Sequence, residues 1–155
     1  MGFERCENLK VLPDSFGNLT NLQDVQLSWC WSLERLSKSF SNLRKLEHIK
    51  LFGCRSLQRL SDSFDNLKNL SSMVLSECFS LERLLESLGN LANLQSMELS
   101  NCVSLVWLPE SLGNLKNLQQ CRSSKSLPSM KALVSLKELR ATGCSKLNSI
   151  PIWPT

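Results

Sequence analysis

The stretch Leu22-Gln23-Asp24-Val25-Gln26-Leu27-Ser28-Trp29-Cys30-Trp31-Ser32-Leu33-Glu34-Arg35-Leu36 decides the architecture. Val25 and Leu27 alternate with Asp24, Gln26 and Ser28, the spacing of a short strand with one apolar face. Beyond Cys30 the apolar residues come every third position, at Leu33 and Leu36. Ser39-Phe40, Leu43 and Leu46 keep that step, which suits one helical or 3-10 turn.

The pattern then returns every 24 residues. Cys6, Cys30, Cys54, Cys78 and Cys102 form one column, and Leu22, Leu46, Leu70, Leu94 and Leu118 another. Leu33, Leu57, Leu81 and Leu105 keep the same phase, as do the serines from Ser15 to Ser111 and the Asn-Leu pairs from Asn18 to Asn114. The chain has 32 leucines, and their register makes it a repeat array. Strands are predicted near 24–28, 48–52, 72–76 and 96–100. Leu12-Pro13 and Leu108-Pro109 stand where a turn opens, a place that tolerates proline because the first amides lack partners.

A coil this small buries its leucines only against the coils on either side, where each is worth roughly 1.5–3 kcal/mol. The strands must therefore run parallel, ~4.8 Å apart. The inward rows read Val25, Ile49, Met73, Met97, Cys121, Leu139 and Leu27, Leu51, Leu75, Leu99, Ser123, Ala141. Bulkier turns on the far side should curve the stack, with the sheet on its concave face. The expected organisation is a single domain over 1–155, of about six 24-residue units. The phase slips after Leu118: Cys102 to Cys144 falls six residues short of two units. Residues 119–131 are read as a shortened, weaker unit. Neither end reads as a polar cap, which implies a longer array or pairing through an end.

Composition narrows the function. Apolar residues are 42% and charged residues 21%, as in a folded chain. No run approaches a membrane span, and Met1–Lys10 lacks a signal-peptide core. A net charge of +4 is too dispersed to imply nucleic acid. Seven cysteines without a secretory signal point to reduced thiols and a cytoplasmic setting. One histidine and six glycines disfavour catalysis, and no phosphate-binding Gly-x-x-x-x-Gly-Lys motif occurs. No enzyme, cofactor or metal is expected.

The segment L-x-x-V-x-L-x-x-C-x-x-L-x-x-L resembles a leucine-rich repeat along essentially the whole chain. The fold this implies is α/β: a curved, right-handed leucine-rich repeat solenoid with a concave parallel β-sheet and short helical or 3-10 turns on the convex face. The finer pattern from Cys102 to Leu115 resembles the repeat domain of plant intracellular nucleotide-binding, leucine-rich-repeat disease resistance proteins. Cysteine stands where secreted plant repeats carry asparagine, and their Gly-x-Ile-Pro step is missing. The resemblance implies a non-enzymatic recognition module in plant defence or signalling. Its partner would be a pathogen effector, a host protein or another domain of the same receptor. The alternatives are an autoinhibitory domain of a larger receptor and a secreted ligand-binding repeat protein.

Binding should lie on the outward strand positions, whose side chains vary while the framework is fixed. The candidate residues are Trp29, His48, Lys50, Phe52, Val74, Glu98, Arg122 and Arg140. Trp29 and Phe52 should meet on adjacent coils as an aromatic anchor. His48 has outward phase and Cys121 inward phase, which rules out their pairing. The cysteine column lacks the paired spacing of a zinc site and reads as a ladder of weak S–H donors. Trp31, Arg55 and Phe79 should stack as a cation–π sandwich. Arg35, Arg59 and Arg83 form a like-charge row that an acidic partner would satisfy, with Glu34, Glu82 and Asp62 the expected local neutralisers. Asn18-Leu19-Thr20 and Asn69-Leu70-Ser71 match the glycosylation pattern, an accident of the Asn-Leu column.

Overall fold

A computed structural model describes residues 2–61, 64–106, 108–123 and 138–140, with backbone alone at 65, 110, 120–123 and 138–140. Each coil contributes one short strand. These are β1 (Asp24–Gln26), β2 (His48–Lys50), β3 (Ser72–Val74), β4 (Ser96–Leu99), β5 (Gln120–Ser123) and β6 (Glu138–Arg140). They form one parallel sheet in sequence order, β1-β2-β3-β4-β5-β6. From β1 to β5 the pairing keeps the 24-residue step, as in Val25↔Ile49↔Met73↔Met97↔Cys121. At β6 the step drops to 18 residues, with Gln120 opposite Glu138. Six residues are thus lost between those two strands. The remainder of the expected irregular unit and the segment after Arg140 lie outside the described residues.

The return side of each coil carries a 3-10 turn: η1 (Asp14–Asn18), η2 (Lys38–Asn42), η3 (Phe64–Asn66), η4 (Glu86–Asn90) and η5 (Glu110–Asn114). Among the described residues the helical component is 3-10 alone, because about five residues are too few for an α-helical turn to repay its nucleation. Pro13 and Pro109 occupy the N-cap positions of η1 and η5 in extended conformation, one residue earlier than the turn itself. Where η1 meets η2 and η4 meets η5, a Cβ on Gly17 or Gly89 would run into the carbonyl of Ser39 or Ser111.

The core is a stack of columns. Leu33, Leu57, Leu81 and Leu105 are fully buried, as are Leu46, Leu70 and Leu94. Under the 3-10 turns Phe16, Phe40 and Phe64 stack nearly parallel, with centroids 6.0 and 5.6 Å apart. Leu88 and Leu112 continue that column as aliphatics.

Two further ladders bind coil to coil. Cys30, Cys54, Cys78 and Cys102 are buried thiols, and each donates its S–H to a carbonyl 27 residues earlier. The acceptors are Phe3, Leu27, Leu51 and Leu75, at 3.0, 3.1, 3.3 and 3.1 Å. Asn69, Asn93 and Asn117 do the same on the outer loops, each donating its amide at 2.8 Å to the carbonyl of Arg44, Lys68 or Ala92. The sequence pattern anticipates the thiol ladder; the amide ladder it does not.

β1 to β4 are shorter than expected because each is followed by a corner. Arg5, Trp29, Glu77 and Asn101 have positive φ (59, 65, 62 and 61°), and so does Gly53 at 72°. All five stand one residue before a cysteine of the column. The left-handed residue turns the chain away from the sheet, although Leu27 and Trp29 still donate to the carbonyls of Lys50 and Phe52.

Candidate recognition face

The sheet alternation that buries Val25, Ile49, Met73 and Met97 sends the flanking residues outward. Lys50 is exposed, while Gln26, Val74 and Glu98 are half-buried in the same row. Together with Glu4, Arg5, Ser28, Trp29 and Phe52 they line a shallow depression of about 560 Å³. Five of the eight expected residues (Trp29, Lys50, Phe52, Val74 and Glu98) therefore share one hollow. Arg122 and Arg140 continue the row by register, with Glu98 opposite Arg122 and Arg122 opposite Arg140 along the backbone. Their side chains lie outside the described residues.

His48 stands apart from the hollow. It is half-buried, with Nδ1 3.3 Å from the Ser71 hydroxyl, which itself donates to the Glu47 carbonyl at 3.0 Å. Ser76, one 24-residue step beyond the larger Phe52, is buried.

Trp29 is fixed from three sides. Its indole meets the Phe52 ring edge-on, with centroids 4.9 Å apart and planes at 80°. Its own backbone is the left-handed corner of the coil, and Gly53 opens the space beneath it. A Cβ on Gly53 would lie 2.6 Å from Trp29 Cε3, closer than atoms of a rigid ring can yield to. Arg55 closes the cluster. Its guanidinium carbon lies 5.7 Å from the Trp31 ring, 5.4 Å from Phe79 and 5.9 Å from Trp29. The expected sandwich is present, and Trp29 adds a third ring that the spacing does not reveal. One cation thus clips three successive coils at the edge of the hollow.

The thiols offer little chemistry. Burial raises Cys30 and Cys78 and pushes Cys54 up to about 12, with the neighbouring thiol of Cys30 adding to the effect on Cys54. Such groups stay protonated near neutrality and make poor nucleophiles or metal ligands. Among the described residues no group of three His, Cys, Asp or Glu converges on a point where a metal would sit. No helix among them is long and apolar enough to cross a membrane.

A second depression of about 560 Å³ lies on the return side, lined by Val11, Leu12, Pro13, Asp14, Arg35, Leu36, Ser37, Lys38, Arg59, Leu60 and Ser61. Two of the three expected local neutralisers of the arginine row do not pair with it. Among the described residues Glu34 and Glu82 are exposed and form no ion pair with it. Asp62 lies outside the described residues.

No family model matches the sequence, and no curated protein matches it. Solved structures resemble it. The leucine-rich repeat domain of the type III effector XopL is 18% identical, with 90% of this chain and 74% of that one aligned at a TM-score of 0.44. An internalin C2 of Listeria monocytogenes is 16% identical over 84% of this chain and 75% of its own, at a TM-score of 0.42. A leucine-rich repeat protein of Leptospira interrogans is 21% identical over 94% of this chain, which spans 48% of its length, at a TM-score of 0.38. The repeat fold rests on the chain's own 24-residue register and its six-stranded parallel sheet.

Proposed function

We propose that the chain is a non-enzymatic protein–protein recognition module that takes its partner on the outward face of the sheet. The Trp29–Phe52 pair carries this reading: two large rings held edge-on at 4.9 Å in a hollow also lined by Lys50 and Glu98. A rigid aromatic anchor ringed by mixed charge is the anatomy of a binding hot spot. Val74 adds apolar floor, Arg122 and Arg140 extend the row, and His48 sits at its margin. In this reading residues 1–155 are one right-handed array of about six coils whose sheet faces inward on the curve. The setting is cytoplasmic and the role is in plant defence or signalling, as the resemblance of the Cys102–Leu115 pattern implies.

The test compares Trp29→Ala, Phe52→Ala and the double reversal Lys50→Glu with Arg122→Glu against the parent chain. Proximity labelling in plant cells reports the partner, and circular dichroism reports the fold. Loss of the same labelled protein in all three, with unchanged spectra, supports the sheet face. Retention of that protein by all three sinks it.

A further inference from the structure

The return side carries a second surface that the sheet face does not use. Successive coils are joined there by backbone bonds from the Glu34 amide to the Lys10 carbonyl (2.9 Å), Gln58 to Glu34 (3.2 Å), Glu82 to Gln58 (3.4 Å) and Val106 to Glu82 (3.0 Å). The residues that follow the first three rungs are Arg35, Arg59 and Arg83, and the bridges Val11↔Arg35 and Arg35↔Arg59 record their register. Arg35, Arg59 and Arg83 therefore occupy equivalent places on three consecutive coils, all exposed. With strands ~4.8 Å apart, the row is about 10 Å long.

Like charges this close repel unless something neutralises them. Among the described residues no carboxylate pairs with any of the three. The adjoining depression adds a third cation, Lys38, beside Arg35 and Arg59, and, among the described residues, one carboxylate, Asp14. Its floor holds Leu12, Leu36 and Leu60 together with the hydroxyls of Ser37 and Ser61. Ser37 is bonded to Ser39 at 2.7 Å. Ser61 is 7% exposed, and its Oγ has no hydrogen-bond partner among the described residues.

We infer that this row is a docking site for an acidic segment of a partner protein, lying in extended conformation across the coils. The shape favours a segment over a point charge. An extended chain advances ~3.3 Å per residue and sends alternate side chains to one face, so acidic side chains at every second position, ~6.6 Å apart, can all face the long, flexible arginines of the row. The segment's carboxylates would meet the guanidinium groups.

The full 155-residue chain is titrated with a fluorescein-labelled Asp-Ser-Asp-Ser-Asp peptide, with Lys-Ser-Lys-Ser-Lys as control and anisotropy as the readout. The acidic peptide is expected to bind and the basic one not. Reversal of all three arginines (R35E, R59E, R83E) should weaken binding about tenfold or more. Lys50→Glu, on the sheet face, should leave it unchanged, which separates this site from the one proposed above. Circular dichroism checks that the triple variant keeps its fold. If it unfolds, Arg35→Gln with Arg59→Gln is used, and a loss of several-fold is expected. Binding should also fade as salt shortens the Debye length from ~10 Å at 0.1 M to ~3 Å at 1 M. The inference is overturned by no binding, by binding that survives the arginine changes, by binding that Lys50→Glu abolishes, or by inorganic phosphate competing as well as the peptide.

Discussion

Gly53 lacks a side chain where the Trp29 indole crosses it, so that a methyl group there would meet Cε3 at 2.6 Å. The glycine also sits at φ 72°, a conformation costly for other residues. Gly53→Ala should therefore cost about 1–3 kcal/mol of stability and tilt the indole away from Phe52. Urea midpoints and the near-ultraviolet circular dichroism of tryptophan check both. A variant with unchanged stability and spectrum would contradict the packing described.

The ring column under the 3-10 turns carries its own expectation. Phe40 is stacked between Phe16 and Phe64, yet Leu88 and Leu112 fill the same place two and three coils on. The framework thus accepts an aliphatic there. Phe40→Leu is expected to cost about 1 kcal/mol and Phe40→Ala about 3–5 kcal/mol, because the smaller side chain leaves a cavity. Denaturant titration of the two variants side by side gives the difference.

The thiol column makes stability depend on pH in one direction. An unfolded Cys54 gives up its proton near 9.0, whereas the folded one holds it to about 12. Below pH 9 both states are protonated and the full stability is present. Above it the unfolded chain gains by ionising, and stability falls until the folded thiol also titrates near 12. Cys30 and Cys78 are raised in the same direction and steepen the fall. Between pH 9 and 12 Cys54 lowers stability by about 1.4 kcal/mol per pH unit. Urea midpoints at rising alkaline pH should drop, and Cys54→Ala should drop less steeply than the parent.

Exposure predicts the order of thiol modification. Cys6 is half-buried, while Cys30, Cys54, Cys78 and Cys102 are buried donors to the coil before. Brief alkylation of the native chain followed by peptide mass spectrometry should mark Cys6 well before those four. Comparable labelling of Cys54 and Cys6 would mean that the coils open far more readily than their packing implies.

Much of this is legible in the sequence, because burial leaves a periodic trace. Val25 and Leu27, the leucines at 33, 57 and 81, and the cysteines at 30, 54, 78 and 102 are apolar at fixed steps, and all are buried as read. The Trp29–Phe52 contact is legible too, from strand register alone. The corner residues are not. Arg5, Trp29, Gly53, Glu77 and Asn101 share a backbone angle and no side-chain property, so only the glycine signals the turn. The amide ladder hides for a different reason: Lys45 interrupts the asparagine column, and asparagine in a loop has many other uses. The balance of the arginine row also depends on where carboxylates point, and proximity in sequence does not fix that.

A corner that asks only for a torsion angle places no demand on what hangs from it. Base, indole, carboxylate and amide have each been accepted at the same bend, at a modest conformational cost that glycine alone avoids. The rim of the sheet can thus be rewritten one coil at a time while the winding beneath stays as it is. What the array holds together and what it displays are specified by separate letters of its sequence.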